Sequence, residues 1–123
     1  MGKLRIASIG SSSSGNAYIV SDGNTRILLD VGLTAKRIKE GLAECKLSPE
    51  DIQGIFVTHE HLDHVKSIRA VAKACGDAHV YTSRGTVNNC EKFEYVKPEK
   101  LKFMAAQDMV RVGDISVKAF SLS

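Results

Sequence analysis

The first third of the chain alternates apolar and polar residues in a way that predicts three β-strands. Leu4, Ile6 and Ser8 alternate with charged or small residues, which predicts a first strand that ends at Gly10 and buries this set. Two further apolar runs, residues 17–21 and 25–31, are separated by a turn sequence, Asp-Gly-Asn. The pattern therefore predicts an antiparallel meander.

Two later segments space their apolar residues as helices do. Ile38, Leu42 and Cys45 follow a capping residue, Thr34, at helical spacing. The second helix is predicted from five residues that share this spacing, Val65, Ile68, Val71, Ala72 and Cys75. On this pattern Cys45 and Cys75 are small buried hydrophobes.

Further strands are predicted between and after the helices. Residues 52–57 are β-branched and aromatic, and residues 79–82 form a short strand. Residues 109–112 and 115–120 alternate around a Gly-Asp turn and predict a hairpin, while residues 92–103 are interpreted as a solvated connection. The predicted fold class is α+β, with one mixed, mostly antiparallel sheet and helices on one face.

The composition and charge limit the kinds of protein that this chain can be. The 123 residues suit one domain, residues 1–123, with 43% hydrophobic and 25% charged residues. A net charge of +3 is compatible with an anionic substrate but is far from that of a dedicated nucleic-acid binder. Three cysteines without Cys-x-x-Cys spacing, and the lack of a long apolar run, predict a cytoplasmic protein without a membrane span.

The candidate chemistry lies directly after the strand at residues 52–57. His59, His61, Asp63 and His64 fall within six positions, between an apolar strand and a predicted helix. Imidazole and carboxylate groups suit zinc, manganese or iron, and the spacing divides them into two pairs of donors, as a two-metal site requires. The alternative is that they are ordinary polar residues of a surface loop. His79 is interpreted as a surface or packing residue.

Two other segments are candidates for the same site. Asp30 closes an apolar run where burial of an isolated carboxylate is costly, so a functional role is favoured over a solvent-facing or helix-capping carboxylate. The serine segment, residues 11–16, offers hydroxyls and backbone amides to a substrate phosphate, through Ser12, Ser13, Ser14 and Asn16. Its alternative is a flexible hairpin connection.

These residues carry a resemblance to a known family. The motif His59-x-His61-x-Asp63-His64 resembles the signature of the metallo-β-lactamase superfamily. The strand that ends in Asp30-Val31-Gly32 is similar to that family's early strand, whose aspartate supports the metal ligands from behind. The serine segment resembles the Gly-Ser-Ser-Gly-Asn loop of the YycJ/WalJ-type, exonuclease-like branch.

The resemblance implies a function and a cofactor. It implies an αββα fold of which this chain is about half, without the family's later ligands. It also implies a hydrolase with two divalent metals, zinc or manganese or else iron, acting on phosphodiesters in nucleic acid. His59, His61, Asp63 and His64 would be metal ligands, and Asp63 would also orient the attacking water.

Alternatives stay open at this point. Thioester, lactone or β-lactam hydrolysis is the second chemistry, and a non-catalytic fragment or assembly module is the second class of function. Because a zinc site needs about four donors, the chain alone is expected to bind metal weakly or not at all and to be inactive. An uncovered sheet face is expected to be sticky, which makes a homodimer a linked expectation.

Overall fold

The computed structural model describes residues 4–12, 15–57, 67–82, 98–105 and 107–118. Within these ranges the elements are β1 (Arg5–Ser12), β2 (Gly15–Ser21), β3 (Arg26–Val31), α1 (Ala35–Glu44), β4 (Gly54–Phe56), α2 (Ile68–Ala74), β5 (His79–Thr82), β6 (Leu101–Phe103), β7 (Met109–Val112) and β8 (Ile115–Lys118). Short 3-10 turns lie at Pro49–Asp51 and Pro98–Lys100.

The first six strands form one mixed sheet in the order β1 to β6. Strands β1, β2 and β3 pair antiparallel, whereas β3, β4, β5 and β6 pair parallel. The predicted α+β class and mixed sheet are confirmed, although three of these five pairings are parallel where mostly antiparallel ones were expected. Helices α1 and α2 are the crossovers that parallel neighbours require. The parallel strands therefore begin at one end of the sheet, here called the amino end, and finish at the other, the carboxyl end.

Both helices cover the same face of this sheet. Thr34 caps α1 by accepting a hydrogen bond from the Arg37 amide, and Ile38 and Leu42, one turn apart, are buried. From α2, Ile68 and Val71 join the same apolar cluster. Full burial of each such side chain stabilises the fold by about 1.5–3 kcal/mol. The prediction of helices on one face is confirmed.

The opposite face is partly covered by the β7–β8 hairpin, which forms a separate two-stranded sheet. Val112 and Ile115 of the hairpin pack in one cluster with Val20, Ile27 and Phe56. The Phe56 ring also stacks on Tyr81, with ring centroids 4.6 Å apart. The expectation of an uncovered face is therefore wrong for this middle part of the sheet.

Strand β1 buries the other set of side chains from the one predicted. Leu4 and Ile6 are 60% and 68% exposed, whereas Ile9 is buried and packs under the helices with Ala7. The physical reason is that α1 covers the face that carries Ala7 and Ile9, while Leu4 and Ile6 lie outside the cluster beneath the hairpin. Alternation alone could not tell which of the two apolar sets would meet a helix.

Three smaller expectations also need correction. Cys45 is exposed because it follows the last residue of α1, whereas Cys75 is buried as predicted. Burial raises the pKa of the Cys75 thiol to about 12, so the thiol stays protonated at neutral pH. Residues 101–103, interpreted as part of a solvated connection, form β6 and extend the sheet. Strand β1 continues past Gly10 to Ser12.

Candidate functional site

The carboxyl end of the sheet collects the segments that the sequence singled out. β3 finishes at Val31 and β4 at Phe56, in neighbouring parallel strands. Ala17, near the start of β2, pairs with Val31, so the hairpin between β1 and β2 reaches the same end. The described part of the serine segment, Asp30 and Val57 thus lie at the same end of the sheet. Val57 directly precedes residues 58–66, here called the histidine segment.

Asp30 occupies an unusual backbone position at this end. Its φ of 66° lies in the left-handed region, which costs a non-glycine residue free energy but which aspartate tolerates better than most. The pairing register of β2 and β3 shifts here, because Tyr18 pairs with Leu29 and Ala17 with Val31, which leaves Asp30 as a bulge. Bulges of this kind redirect a side chain and are over-represented beside active sites.

Two observations argue against the alternative interpretations of Asp30, which are a solvent-facing carboxylate and a helix cap. Its side chain is only 6% exposed, so the carboxylate does not face solvent. The cap of α1 is Thr34, whose hydroxyl accepts the hydrogen bond of a first-turn amide, so Asp30 does not cap this helix. The functional role of Asp30 stays a prediction.

The histidine segment begins at an anchored residue. The Val57 amide donates to the Tyr81 carbonyl at 2.9 Å, and the Thr82 hydroxyl donates to the Val57 carbonyl at 3.2 Å. Val57 and Thr82 are 5% and 3% exposed. The backbone is therefore fixed to β5 immediately before the segment.

The histidine segment also ends at an anchored residue. The Ser67 hydroxyl lies 2.6 Å from the Leu33 carbonyl and 3.1 Å from the Val31 carbonyl, and its single proton is shared between these two acceptors. The Ser67 amide approaches the Val31 carbonyl at 3.4 Å. Because Val31 follows Asp30, the exit of the segment is tied directly to the strand end that carries this carboxylate.

Most of the predicted site residues lie outside the described part of the chain. His59, His61, Asp63 and His64 belong to the histidine segment, and Ser13 and Ser14 lie between β1 and β2. For two more of the predicted residues, Ser12 and Asn16, the structure describes only the backbone. Ser12 pairs with Gly15, and Ser11 pairs with Asn16, so this part of the serine segment is β-hairpin rather than open loop.

The donor chemistry fits a divalent metal, although the described residues alone do not assemble a site. Among residues 4–12, 15–57, 67–82, 98–105 and 107–118, no three His, Cys, Asp or Glu side chains gather closely enough to hold a metal ion. The fit depends on the histidine segment, which contributes imidazole and carboxylate donors between two fixed anchors. The buried carboxylate of Asp30 beside those anchors is of the type that orients metal-bound histidines.

Sequence reasoning missed two residues of this end, Ser67 and Thr82. Both hydroxyls are buried and both donate across to the ends of neighbouring strands. The available signals were a serine within the predicted second helix and a threonine that closes the strand at residues 79–82. Neither signal identifies its acceptor, because that acceptor is a backbone carbonyl far away in sequence.

His79 lies at the other end of the sheet. It begins β5 and pairs with Gly54, the first residue of β4. Its ring meets Tyr81 edge-on, with centroids 6.2 Å apart. This placement agrees with the interpretation of His79 as a packing residue. It puts His79 at the opposite end of β4 from Val57, the residue that precedes the histidine segment.

In the described ranges, no helix has the length and apolarity needed to cross a bilayer.

Comparison with known proteins places these features in a family. A sequence profile of the Metallo-beta-lactamase superfamily matches residues 12–115. The chain is 33% identical to the protein named exodeoxyribonuclease YycJ of Bacillus anthracis, over 98% of this chain and 46% of that protein. It is 30% identical to exodeoxyribonuclease WalJ of Streptococcus pneumoniae, over 94% of this chain and 44% of that protein. The chain thus spans less than half the length of these relatives.

Solved structures agree on the fold. The Rm3 metallo-beta-lactamase superposes with a TM-score of 0.78 at 18% identity, covering 94% of this chain and 48% of that one. At this identity the likeness concerns the architecture, namely the mixed sheet with helices on one face and a second sheet begun on the other.

Proposed function

Because the chain belongs to the metallo-β-lactamase superfamily, we propose that it supplies part of the active site of a metal-dependent phosphodiesterase that acts as an exonuclease on nucleic acid. One observation carries the proposal. Val57 and Ser67, the residues that flank the histidine segment, are both anchored at the carboxyl end of the sheet, near a buried aspartate in a strained bulge. Strain of this kind persists where surrounding structure holds it, most often at functional sites.

The proposed roles follow the donor chemistry of the histidine segment. His59 and His61 would hold one divalent metal and Asp63 and His64 a second, with Asp30 supporting the ligands from behind. Held there, divalent metals would supply a bound water with a pKa of about 7 and would polarise the scissile phosphate. Asp63 would also orient the attacking water by accepting a hydrogen bond from it.

The serine segment has a proposed role in substrate binding. Its hairpin is adjacent to the end of β3, where Asp30 lies. Backbone amides and hydroxyls at the hairpin tip, from residues such as Ser13 and Ser14, would donate to a substrate phosphate. The net charge of +3 favours a polyanionic substrate without excluding a smaller anion.

The substrate class rests on the relatives rather than on the site. The two relatives carry the name exodeoxyribonuclease, which supports nucleic acid over a thioester, lactone or β-lactam. The β-lactamase structures share the fold at low identity and carry no weight for substrate. The choice between zinc and manganese, a cytoplasmic location and a homodimer stay predictions.

The experiment compares single histidine variants of the whole protein. His61→Ala and Asp63→Ala are expected to abolish the manganese- or zinc-dependent degradation of single- and double-stranded DNA and RNA, because each removes a metal donor. His79→Ala is the matched control, since it removes a histidine at the amino end of the sheet, and it should keep activity.

Two results would overturn the proposal. Efficient hydrolysis of a thioester or lactone by a protein that leaves DNA and RNA intact would show that the exonuclease branch is wrong. Full nuclease activity in His61→Ala and Asp63→Ala would show that the histidine segment is not the metal site.

A further inference from the structure

Two buried hydroxyls hold the ends of the histidine segment, and they do so on different strands. Thr82 of β5 donates to the carbonyl of Val57, which precedes the segment. Ser67, which follows the segment, donates to the carbonyl of Val31, the last residue of β3, and to that of Leu33 just beyond it. We propose that Ser67 and Thr82 are positioning residues that set the spacing of the proposed metal ligands, which lie between Val57 and Ser67 in the sequence. This inference rests on the proposed function.

The geometry of Ser67 argues against a merely local role. Ser67 occupies the residue before α2, where a serine side chain ordinarily accepts a hydrogen bond from a first-turn amide of its own helix. Here its side chain makes no such capping bond, and the hydroxyl instead donates to two carbonyls more than thirty residues away in sequence. The helix loses a cap, and the strand end that carries Asp30 gains a direct link to the exit of the histidine segment.

The geometry of Thr82 fixes the entrance in the same way. β4 and β5 are already joined by backbone pairing, and the Val57 amide continues that pairing by donating to Tyr81. The Thr82 hydroxyl adds a bond to the carbonyl of Val57. Val57 is therefore held through both its amide and its carbonyl, immediately before the first residue of the segment.

Anchoring of this kind matters for metal affinity more than for folding. The nine residues of the histidine segment lie in the sequence between Val57, which is fixed on β5, and Ser67, which is fixed on β3. Fixing both flanking residues would reduce the conformational entropy that is lost when donors between them converge on a metal. Partners that orient metal ligands without touching the metal typically contribute about tenfold to a hundredfold to affinity. Removal of either hydroxyl should weaken metal binding beyond its effect on stability.

The test uses two hydroxyl deletions and one control in the whole protein. Ser67→Ala and Thr82→Val remove the anchoring hydroxyls. Thr25→Val is the matched control, because Thr25 is 2% exposed and its hydroxyl accepts from the Asp114 amide at the amino end of the sheet. Calorimetric titration with Mn²⁺ and with Zn²⁺ gives the affinity, and thermal unfolding in a chelator gives the stability of the metal-free fold.

The expected result separates affinity from stability. Ser67→Ala and Thr82→Val should each bind metal about tenfold more weakly, while Thr25→Val binds as the wild type does, with a comparable fall in melting temperature for all three. Ser67→Thr keeps a hydroxyl and should recover most of the affinity. If Ser67→Ala does not fold, the near-isosteric Thr82→Val still decides the question.

Opposite results would overturn the inference. Unchanged metal affinity in Thr82→Val and Ser67→Ala, or an equal loss in Thr25→Val, would show that the hydroxyls serve the fold alone. Failure of the nuclease proposal can be distinguished from failure of this inference. A wild-type protein that binds metal but does not degrade nucleic acid would contradict only the proposed substrate. In that case the affinities of the variants support or overturn the positioning role as before.

Discussion

The two ends of the six-stranded sheet are built from the same residue types but use them differently. Asp22 and Thr25 at the amino end, and Asp30 and Thr82 at the carboxyl end, are all buried. The Asp22 carboxylate accepts hydrogen bonds from the amides of Asn24 and Thr25, at 2.9 and 2.6 Å, and so closes its own turn. At the other end the Thr82 hydroxyl donates to a neighbouring strand.

The two buried aspartates differ in the backbone that surrounds them. Asp22 bonds to residues two and three positions away, which is a local turn that any tight hairpin could contain. Ser67 and Thr82 bond to residues 25 to 36 positions away, and Asp30 interrupts the pairing of β2 with β3. The amino end also has a long-range contact, between Thr25 and Asp114, so range alone does not separate the two ends. The left-handed backbone of the buried Asp30 does, and it is the reason that we place the functional site at the carboxyl end.

The largest expected effect concerns the two buried aspartates. Asp30→Asn keeps the side-chain size and tolerates the left-handed backbone but removes the negative charge. We expect metal affinity of the whole protein to fall by about tenfold to a hundredfold, because the ligands lose a supporting carboxylate. Asp22→Asn changes the same group at the other end of β3, about 16 Å or more away along an extended chain, and should leave affinity unchanged.

Calorimetric titration with Mn²⁺ measures both variants against the wild type. Circular dichroism on the metal-free proteins checks that Asp30→Asn keeps the fold. Equal affinities for Asp30→Asn and the wild type would remove Asp30 from the site and leave the bulge as a feature of the sheet alone.

The features that could be predicted from the sequence are those set by residues close together in the chain. Elements defined by periodicity or by a cap were found, such as α1 with Thr34, Ile38 and Leu42, because their signals lie within one or two turns. The turn at Asp22 was found for the same reason. The buried carboxylate of Asp30 was inferred from the apolar run before it, and the structure places it as expected at the strand end.

The features that escaped prediction all depend on tertiary contacts. The buried face of β1 is set by the position of α1, and β6 is stabilised by its pairing with β5. The left-handed φ of Asp30 follows from the register of β2 against β3, which no pattern within one strand encodes. For the histidine segment, which lies outside the described residues, convergence of the ligands stays a prediction.

The second effect tests the amino end, where the β7–β8 turn meets β3. Gly113 has a φ of 56°, and a Cβ placed on it would lie 2.2 Å from the Thr25 hydroxyl oxygen. We expect Gly113→Ala to lower the free energy of unfolding by about 2 kcal/mol, from left-handed strain and from loss of the bond between Thr25 and the Asp114 amide. Chemical denaturation in a chelator measures it.

A double variant separates the backbone strain from the effects that involve Thr25. In a Thr25→Ala background the bond to the Asp114 amide is already lost and the overlap is relieved, so Gly113→Ala should cost only the left-handed strain, which is less than it costs alone. Metal affinity should be unchanged in both proteins. A fall in affinity as large as that of Asp30→Asn would mean that the two ends of the sheet are energetically coupled.

The smallest effect is a pH dependence at the amino end. Hydrogen bonds from the amides of Thr25 and Asn24 hold the pKa of Asp22 below its ordinary value near 4. A carboxyl with a lowered pKa in the folded state contributes stability that is present above about pH 4, and that stability is lost as the pH falls through the folded value. Asp22→Asn removes this titration. As the pH falls below about 4, the melting temperature of this variant, measured in a chelator, should therefore fall less than that of the wild type.

Asp114→Asn is the reference, because that carboxylate is exposed and its pairing with Arg111 at 3.8 Å is screened by solvent. It should follow the wild-type curve. If the Asp22→Asn and wild-type curves instead stay parallel throughout this range, the turn is held by its backbone geometry and not by the charge of Asp22. The two buried aspartates would then differ in kind, with charge important only at the carboxyl end of the sheet.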